Sequence, residues 1–235
     1  MRVGPTVRRK IAARGLTLIE MLVVIGVAAV LIGIMLPVLG KVRESGRATV
    51  CLSNLRQLGI AFTQYALDNN GRFPRPAAYP PQAEDWIYWE PNRDPDKGVI
   101  VPYMGGQFTA AYYRCPSDDV DARANGYAYS YSVNEMICGC TRRNRRPLLL
   151  SAIVNPGEKV LLIDESSETA DDGCWAWQDY GGYEFNILSN RHDRRTEQSG
   201  TVAAGFGNVC YADGHAGRLS RAESFVPRYY DPLVP

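Results

Sequence analysis

The sequence predicts an α+β fold: a long N-terminal helix, transmembrane in its first half and amphipathic in its second, packed on a small antiparallel β-sheet domain. Three observations predict it. Gly15 to Leu39 is apolar almost throughout and carries one acid, Glu20. Leu55, Leu58, Phe62 and Tyr65 then recur at helical spacing. Beyond residue 75 no helical period of useful length appears, and short strand-like runs bounded by turn residues take over.

The chain has 235 residues, 22% charged and 46% hydrophobic. Setting an N-terminal anchor aside, that leaves one medium-sized domain able to bury a core. Lys and Arg number 26 against 25 Asp and Glu, so the whole chain has no nucleic-acid signature. Five of the basic residues, Arg2, Arg8, Arg9, Lys10 and Arg14, precede the apolar run, which leaves the body slightly acidic. Fourteen Tyr and 15 Pro point to a loop-rich, aromatic-packed body. The six Cys (Cys51, Cys115, Cys138, Cys140, Cys174 and Cys210) fit disulfides in an oxidising compartment or buried free thiols. Cys138 and Cys140 lack a second pair or a His at zinc-finger spacing.

The run from Leu16 to Leu39 is long enough to span a bilayer and longer than a secretory signal core. Leu36-Pro37-Val38-Leu39-Gly40 also lacks a small-x-small cleavage site. A single-span anchor is therefore the better reading, with the basic leader on the cytoplasmic side. An acid at the centre of a spanning helix costs about 2.5–3.5 kcal/mol and less near the interface, so Glu20 needs a reason. Gly26, Ala29 and Gly33 share one face and permit close helix approach in lipid. Pro37 removes one helical hydrogen bond near the end of the span.

Arg14-Gly15-Leu16-Thr17-Leu18-Ile19-Glu20 resembles the class III signal of type IV prepilins and type II secretion pseudopilins. The resemblance implies cleavage by a prepilin peptidase between Gly15 and Leu16 and N-methylation of Leu16, where the family usually has Phe or Met. It also implies a role for Glu20 in assembly. Cutting after Gly15 creates an ammonium at Leu16, and a carboxylate one helical turn away can pair with it, within one subunit or between neighbours. The bland alternative is a snorkelling Glu in a plain anchor.

The helical stripe ends at Asp68-Asn69-Asn70-Gly71, with Pro74 closing it. Residues 1–15 are thus expected to be a removed leader and 16–39 the transmembrane and polymerisation helix. Residues 40–74 would be the periplasmic half of the helix, with Gly46 and Gly59 as weak points. Residues 75–235 would form a loop-rich periplasmic β domain. Pro-rich and aromatic sequence around Trp86, Tyr88 and Trp89 reads as a loop over the helix rather than a ligand platform. Tyr127–Val133 reads as a half-exposed strand, Lys159–Asp164 as a buried one, and Glu184–Leu188 as a further candidate. Asn208–Ala212 and His215–Leu219, joined by Asp213-Gly214, read as a hairpin with a two-residue type I′ turn.

Arg191-His192 followed by Asn208-Val209-Cys210-Tyr211-Ala212-Asp213-Gly214-His215 is similar to the C-terminal signature of a pseudopilin-like group abundant in planctomycetes. Here the spacer is longer, and Tyr211 stands where Phe is usual. Arg114-Cys115-Pro116-Ser117-Asp118 and the helix segment around Cys51 match that group too. Their joint occurrence implies that the Cys115 loop is stapled to the helix by a Cys51–Cys115 disulfide.

For chemistry, His192, Asp213 and His215, with Asp193 and, as a further candidate, Asp164, would suit a metal if the fold gathers them. Asp213-Gly214 is equally explained by a turn alone. The resemblance adds calcium on the acidic run Asp164–Asp172, which also reads as a solvated loop. No nucleophile elbow, P-loop, HExxH or dinucleotide fingerprint is present, so no catalytic residue and no organic cofactor is expected. The resemblance implies a structural subunit of a secretion pseudopilus or a pilus, single-pass in a bacterial inner membrane with its C-terminal domain periplasmic. Its partners would be prepilin peptidase, other pilin or pseudopilin subunits and an inner-membrane assembly platform, with no nucleic acid. The alternatives are a non-polymerising membrane-anchored binding domain and an anchored enzyme.

Overall fold

The structure, a computed structural model, describes residues 17–123, 126–139, 145–176, 186–193 and 204–235. Gly15 and Leu16 lie outside the described residues, as do Cys140 and the first two residues, Glu184 and Phe185, of the expected 184–188 strand, of which Leu188 forms an isolated bridge with Glu165. The fold is α+β, with a long apolar N-terminal helix and a five-stranded sheet. It divides into two compact units, one ending at Arg43 and the other beginning at Glu44.

Helix α1 is Leu18–Asp68. Thr17 precedes it and caps it. The Thr17 N–H donates to Glu20 Oε2 at 2.7 Å, the Thr17 hydroxyl donates to the same oxygen at 2.8 Å, and the Glu20 N–H donates back to Thr17 Oγ1 at 3.3 Å. This is the reciprocal capping box expected of Thr-x-x-Glu. Every described side chain from Leu18 to Arg43 is exposed within its unit. The stretch is long and apolar enough to cross a membrane, as either a spanning anchor or a signal sequence.

In the second unit, α1 supplies the centre of the core through Cys51, Leu55, Leu58, Ala61, Phe62 and Ala66. The expected stripe is present, with Tyr65 at its margin. The helix ends where Asn70 takes a left-handed φ of 55° and the Gly71 N–H reaches back to the Ala66 carbonyl at 2.7 Å. That six-to-one closure satisfies the last carbonyls. Gly59 is a point of close approach rather than a flaw. A Cβ there would lie 2.3 Å from the Cys210 sulfur.

The strands are β1 (Tyr131–Asn134), β2 (Val160–Asp164), β3 (Cys174–Trp175), β4 (Phe206–Tyr211) and β5 (Ala216–Ser220), in the order β3-β1-β2-β4-β5. The sheet is mixed, which corrects the antiparallel expectation: β3 runs parallel to β1, with Val133 opposite Cys174. Strand β1 is shorter than the Tyr alternation suggests and wholly buried. Tyr127 lies outside it, with its hydroxyl donating to the Tyr131 carbonyl at 2.9 Å. The described residues also form three four-residue α-helices, α2 (Glu135–Cys138), α3 (Arg221–Ser224) and α4 (Pro227–Tyr230), and short 3-10 turns in the loops.

Strand β2 is the central strand, buried at all five positions. Its pairing with β4 shifts register between Val160 and Leu162. Such an irregularity breaks the two-residue alternation. Leu161 and Leu162 both join the cluster around α1, while Val160 and Ile163 join the opposite one with Trp175, Leu188, Val209 and Tyr230. Counting two residues on from Leu162 puts Asp164 on the helix side.

The β4–β5 hairpin is present, but its turn is not type I′. Cys210 pairs with Ala216, the Tyr211 N–H bonds the His215 carbonyl at 2.9 Å, and the Gly214 N–H bonds the Tyr211 carbonyl at 2.9 Å. The loop is therefore three residues long, and only Gly214, at φ 90°, is left-handed. This is the turn-plus-bulge geometry of three-residue hairpins. The aromatic loop packs as core: Trp86 lies 5.6 Å from Phe62 between ring centroids, and its indole N–H reaches the carbonyls of Pro76 and Gly173.

Candidate functional site

Four separated segments meet on the helix side of β2. Cys51 comes from α1. Cys115 comes from a loop that Asn54 of α1 grips, donating to the carbonyls of Ala111 at 2.8 Å and Arg114 at 3.2 Å. Asp164 ends β2. His192 comes from the 186–193 segment, which lies along the end of β2 through Ser166 N–H to the Ile187 carbonyl and Ser189 N–H to the Asp164 carbonyl.

One sulfur, nitrogen or oxygen atom from each of Cys51, Cys115, Asp164 and His192 lies within 4.8 Å of every other. The Cys51 sulfur is 3.6 Å from Asp164 Oδ2. The Cys115 sulfur is 3.1 Å from His192 Nε2, which is 3.8 Å from Asp164 Oδ2. The other imidazole nitrogen, Nδ1, is 2.7 Å from Glu44 Oε1, and Ser117 Oγ donates to that same carboxylate oxygen at 2.8 Å. Arg191 spans the rim. Its Nε is 3.6 Å from Asp164 Oδ1, and its Nη1 is 2.6 Å from Asp118 Oδ2. Asp118 also pairs with Arg123 and accepts from Ser167 Oγ at 2.8 Å.

The electrostatics follow from burial and pairing. A hydrogen bond from Cys51 holds the Cys115 thiol well below its usual range, with help from His192 and Arg191. Burial pushes the Cys51 thiol up. Burial also pushes Asp164 up to about 8, although Arg191 opposes it. For His192, burial favours the neutral ring, but Cys115, Asp164 and Glu44 outweigh it and the pKa rises. For Glu44, burial is outweighed by the hydrogen bonds from Ser117 and His192, and the carboxyl falls. Asp118 is likewise lowered because Arg191 and Arg123 overcome its burial.

His192 does not share a site with Asp213 and His215, which corrects the expected ligand set. Asp213 and His215 sit together on the hairpin turn, Oδ1 to Nδ1 at 2.6 Å, with both side chains largely exposed. The His215 N–H also caps Asp213 Oδ1 at 3.0 Å, so the turn accounts for both residues. Asp193 belongs elsewhere as well, 3.9 Å from Arg218. Among the described residues, Cys51, Cys115, Asp164 and His192 are the only group of three or more that could hold a metal, so the acidic run after Asp164 gathers none. Glu165 instead accepts from Thr169 at 2.9 Å and Asn186 at 2.6 Å. Cys51 and Cys115 do meet, as free thiols. Glu44 is the residue of this site that the sequence does not single out. Nothing in its linear context signals a histidine far along the chain.

Cys115, His192 and Glu44 are ordered like a thiol nucleophile, a base and an orienting acid. Their burial sets that chemistry aside for any bulky substrate. Cys115 is 1% exposed and the His192 side chain 2%. What the cluster offers is a closed set of soft and borderline donors. Compared with protein-family models, curated proteins and solved structures, the chain matches none.

Proposed function

We propose that this chain is a membrane-anchored, pilin-like structural subunit of a secretion pseudopilus or a pilus. In this reading a prepilin peptidase removes residues 1–15, Leu16 is N-methylated, and subunits assemble through the apolar helix on an inner-membrane platform. The C-terminal unit would then lie in the periplasm. The observation that carries the reading is the division of labour along α1. The described side chains of residues 18–43 are all exposed within their unit, whereas Cys51 to Ala66 supply the middle of the core of the other. An anchor that served only as a tether has no need to continue as the central element of the folded domain.

The Thr17–Glu20 box bears on the acid in the span. It gives Glu20 a local partner and thereby lowers the cost of placing a carboxylate at the helix start. Cleavage after Gly15 adds an ammonium one residue before Thr17, so the box also holds the carboxylate near the new charge.

Mass spectrometry of the N-terminus of the protein isolated from its native membrane tests the reading. The expected species starts at N-methyl-Leu16. A chain that retains Met1 to Gly15 overturns it.

A further inference from the structure

We infer that Cys51, Cys115, Asp164 and His192 form a closed tetrahedral site for one zinc-class divalent ion that staples α1 to the centre of the sheet. The inference stands on the geometry of these four residues and is independent of assembly. With metal–sulfur bonds of about 2.3 Å and metal–nitrogen or –oxygen bonds of about 2.0–2.2 Å, the edges of a tetrahedron measure about 3.3–3.8 Å. Three of the edges here are 3.1, 3.6 and 3.8 Å, and none exceeds 4.8 Å. Closing onto an ion therefore needs only small side-chain adjustments.

The donor set selects the ion. Two thiolates and an imidazole suit zinc and disfavour calcium or magnesium, which take oxygen. The second layer is in place. Glu44 engages His192 Nδ1, which orients Nε2 toward the two sulfurs, and carboxylate–histidine–metal order is the usual arrangement of such sites. Charge balances as well. Two thiolates and the Asp164 carboxylate carry three negative charges, matched by a divalent ion and the guanidinium of Arg191 beside Asp164.

A second observation points to a ligand. Asp164 is fully buried: its Oδ2 faces Cys51 and His192, and its Oδ1, ion-paired with Arg191 at 3.6 Å, has no hydrogen-bond partner. Neither has Oδ1 of Asn208, a buried residue whose side chain also acts on the Cys51 sulfur. Buried polar atoms left unpaired are costly, and an ion bound at Oδ2 lowers the cost of keeping the Asp164 carboxylate buried and charged. Two thiols this close have one rival fate, a Cys51–Cys115 disulfide. That would consume both sulfurs and leave Asp164 and His192 facing no ligand.

The test uses the full chain in detergent. Protein alkylated directly from membranes is mapped without reductant, and the purified reduced chain is titrated with Zn²⁺, and separately with Co²⁺ as a spectroscopic probe. The expected result is free Cys51 and Cys115, one zinc per chain, and the thiolate-to-cobalt charge-transfer and intense visible bands of a tetrahedral sulfur site. Cys115→Ser and His192→Ala should each abolish stoichiometric binding. Glu44→Gln, which touches no metal directly, should weaken zinc about 10–100-fold. If the ligand variants fail to fold, the wild-type cobalt spectrum and the Glu44→Gln affinity still decide. A Cys51–Cys115 disulfide in the membrane-derived protein, or cobalt bands that survive in Cys115→Ser, overturns the site.

Discussion

Nδ1 of His192 stands 2.7 Å from Oε1 of Glu44, across 148 residues of chain. Glu44 also receives the Ser117 hydroxyl, so a single carboxylate of α1 holds both the Cys-Pro-Ser-Asp loop and the Arg-His segment. Hydrogen bonds to charged groups contribute about 1.5–3 kcal/mol. Glu44→Ala should therefore lower unfolding stability by about 3 kcal/mol, because it removes both bonds, and Ser117→Ala by about 1.5 kcal/mol, because it removes one. Urea unfolding of the full chain in detergent measures both. Equal midpoints for wild type and Glu44→Ala would remove the contact from the account.

Gly59 and Gly46 make a matched pair on one helix. At Gly46 a new Cβ meets nothing within 4 Å, so Gly46→Ala should stabilise by up to about 1 kcal/mol through helix propensity. At Gly59 the same change drives a methyl into the Cys210 sulfur, and overpacking of this kind costs about 1–3 kcal/mol. Gly59→Ala should destabilise in the wild-type background and become less harmful in Cys210→Ala. Thermal midpoints of the three variants and the double variant give the answer.

Asp118 couples the site to pH. It is lowered in the folded state: burial raises it, but Arg191 and Arg123 outweigh burial, with Ser130 and Ser167 donating and Asp164 the nearby acid. A depressed carboxyl contributes stability that is complete above its unfolded value of about 3.9. That contribution disappears as pH falls through the lower folded value. Asp118→Asn should cost about 3 kcal/mol at neutral pH by taking the paired carboxylate from Arg123 and leaving Arg191 with Asp164 alone. It should also flatten the acid limb of the stability profile. An acid limb identical to wild type would show that the carboxylate is not engaged.

Glu20 separates capping from charge. Gln at this position can still accept from Thr17, so Glu20→Gln keeps the box while removing the negative charge. Under the assembly reading, Glu20→Gln and Glu20→Ala should both be processed after Gly15 and both fail to enter a fibre. Incorporation of Glu20→Gln at wild-type levels would mean that the box alone explains the acid.

Periodic and local signals carried far in this chain. The end of α1, the stripe from Leu55 to Phe62, the buried strand at Val160–Asp164 and the β4–β5 hairpin were all legible, because a helix face, a strand run and a turn are written in neighbouring residues. The turn type was not, since Asp-Gly serves both a two-residue loop and a three-residue one, and only pairing across the hairpin decides. The parallel placement of β3 could not be read from two residues. The cluster was legible only in pieces. Cys51, Cys115, Asp164 and His192 each stood out, but His192 was assigned to the wrong neighbours because Asp213 and His215 are nearer in sequence. The bulge at Val160–Leu162, which gives Leu161 the same side as Leu162, follows from pairing with β4 and leaves no mark on the sequence.

The sheet finishes abruptly on the β5 side. Strand β5 gives way at once to α3, where Ser220 and Glu223 close a capping box, so this last strand of the sheet among the described residues is only five residues long. Long, flat strand edges invite another chain to add to the ladder. If subunits assemble side by side as proposed, a short edge keeps their folded parts from pairing strand to strand indiscriminately. Here the border offers an added strand little purchase.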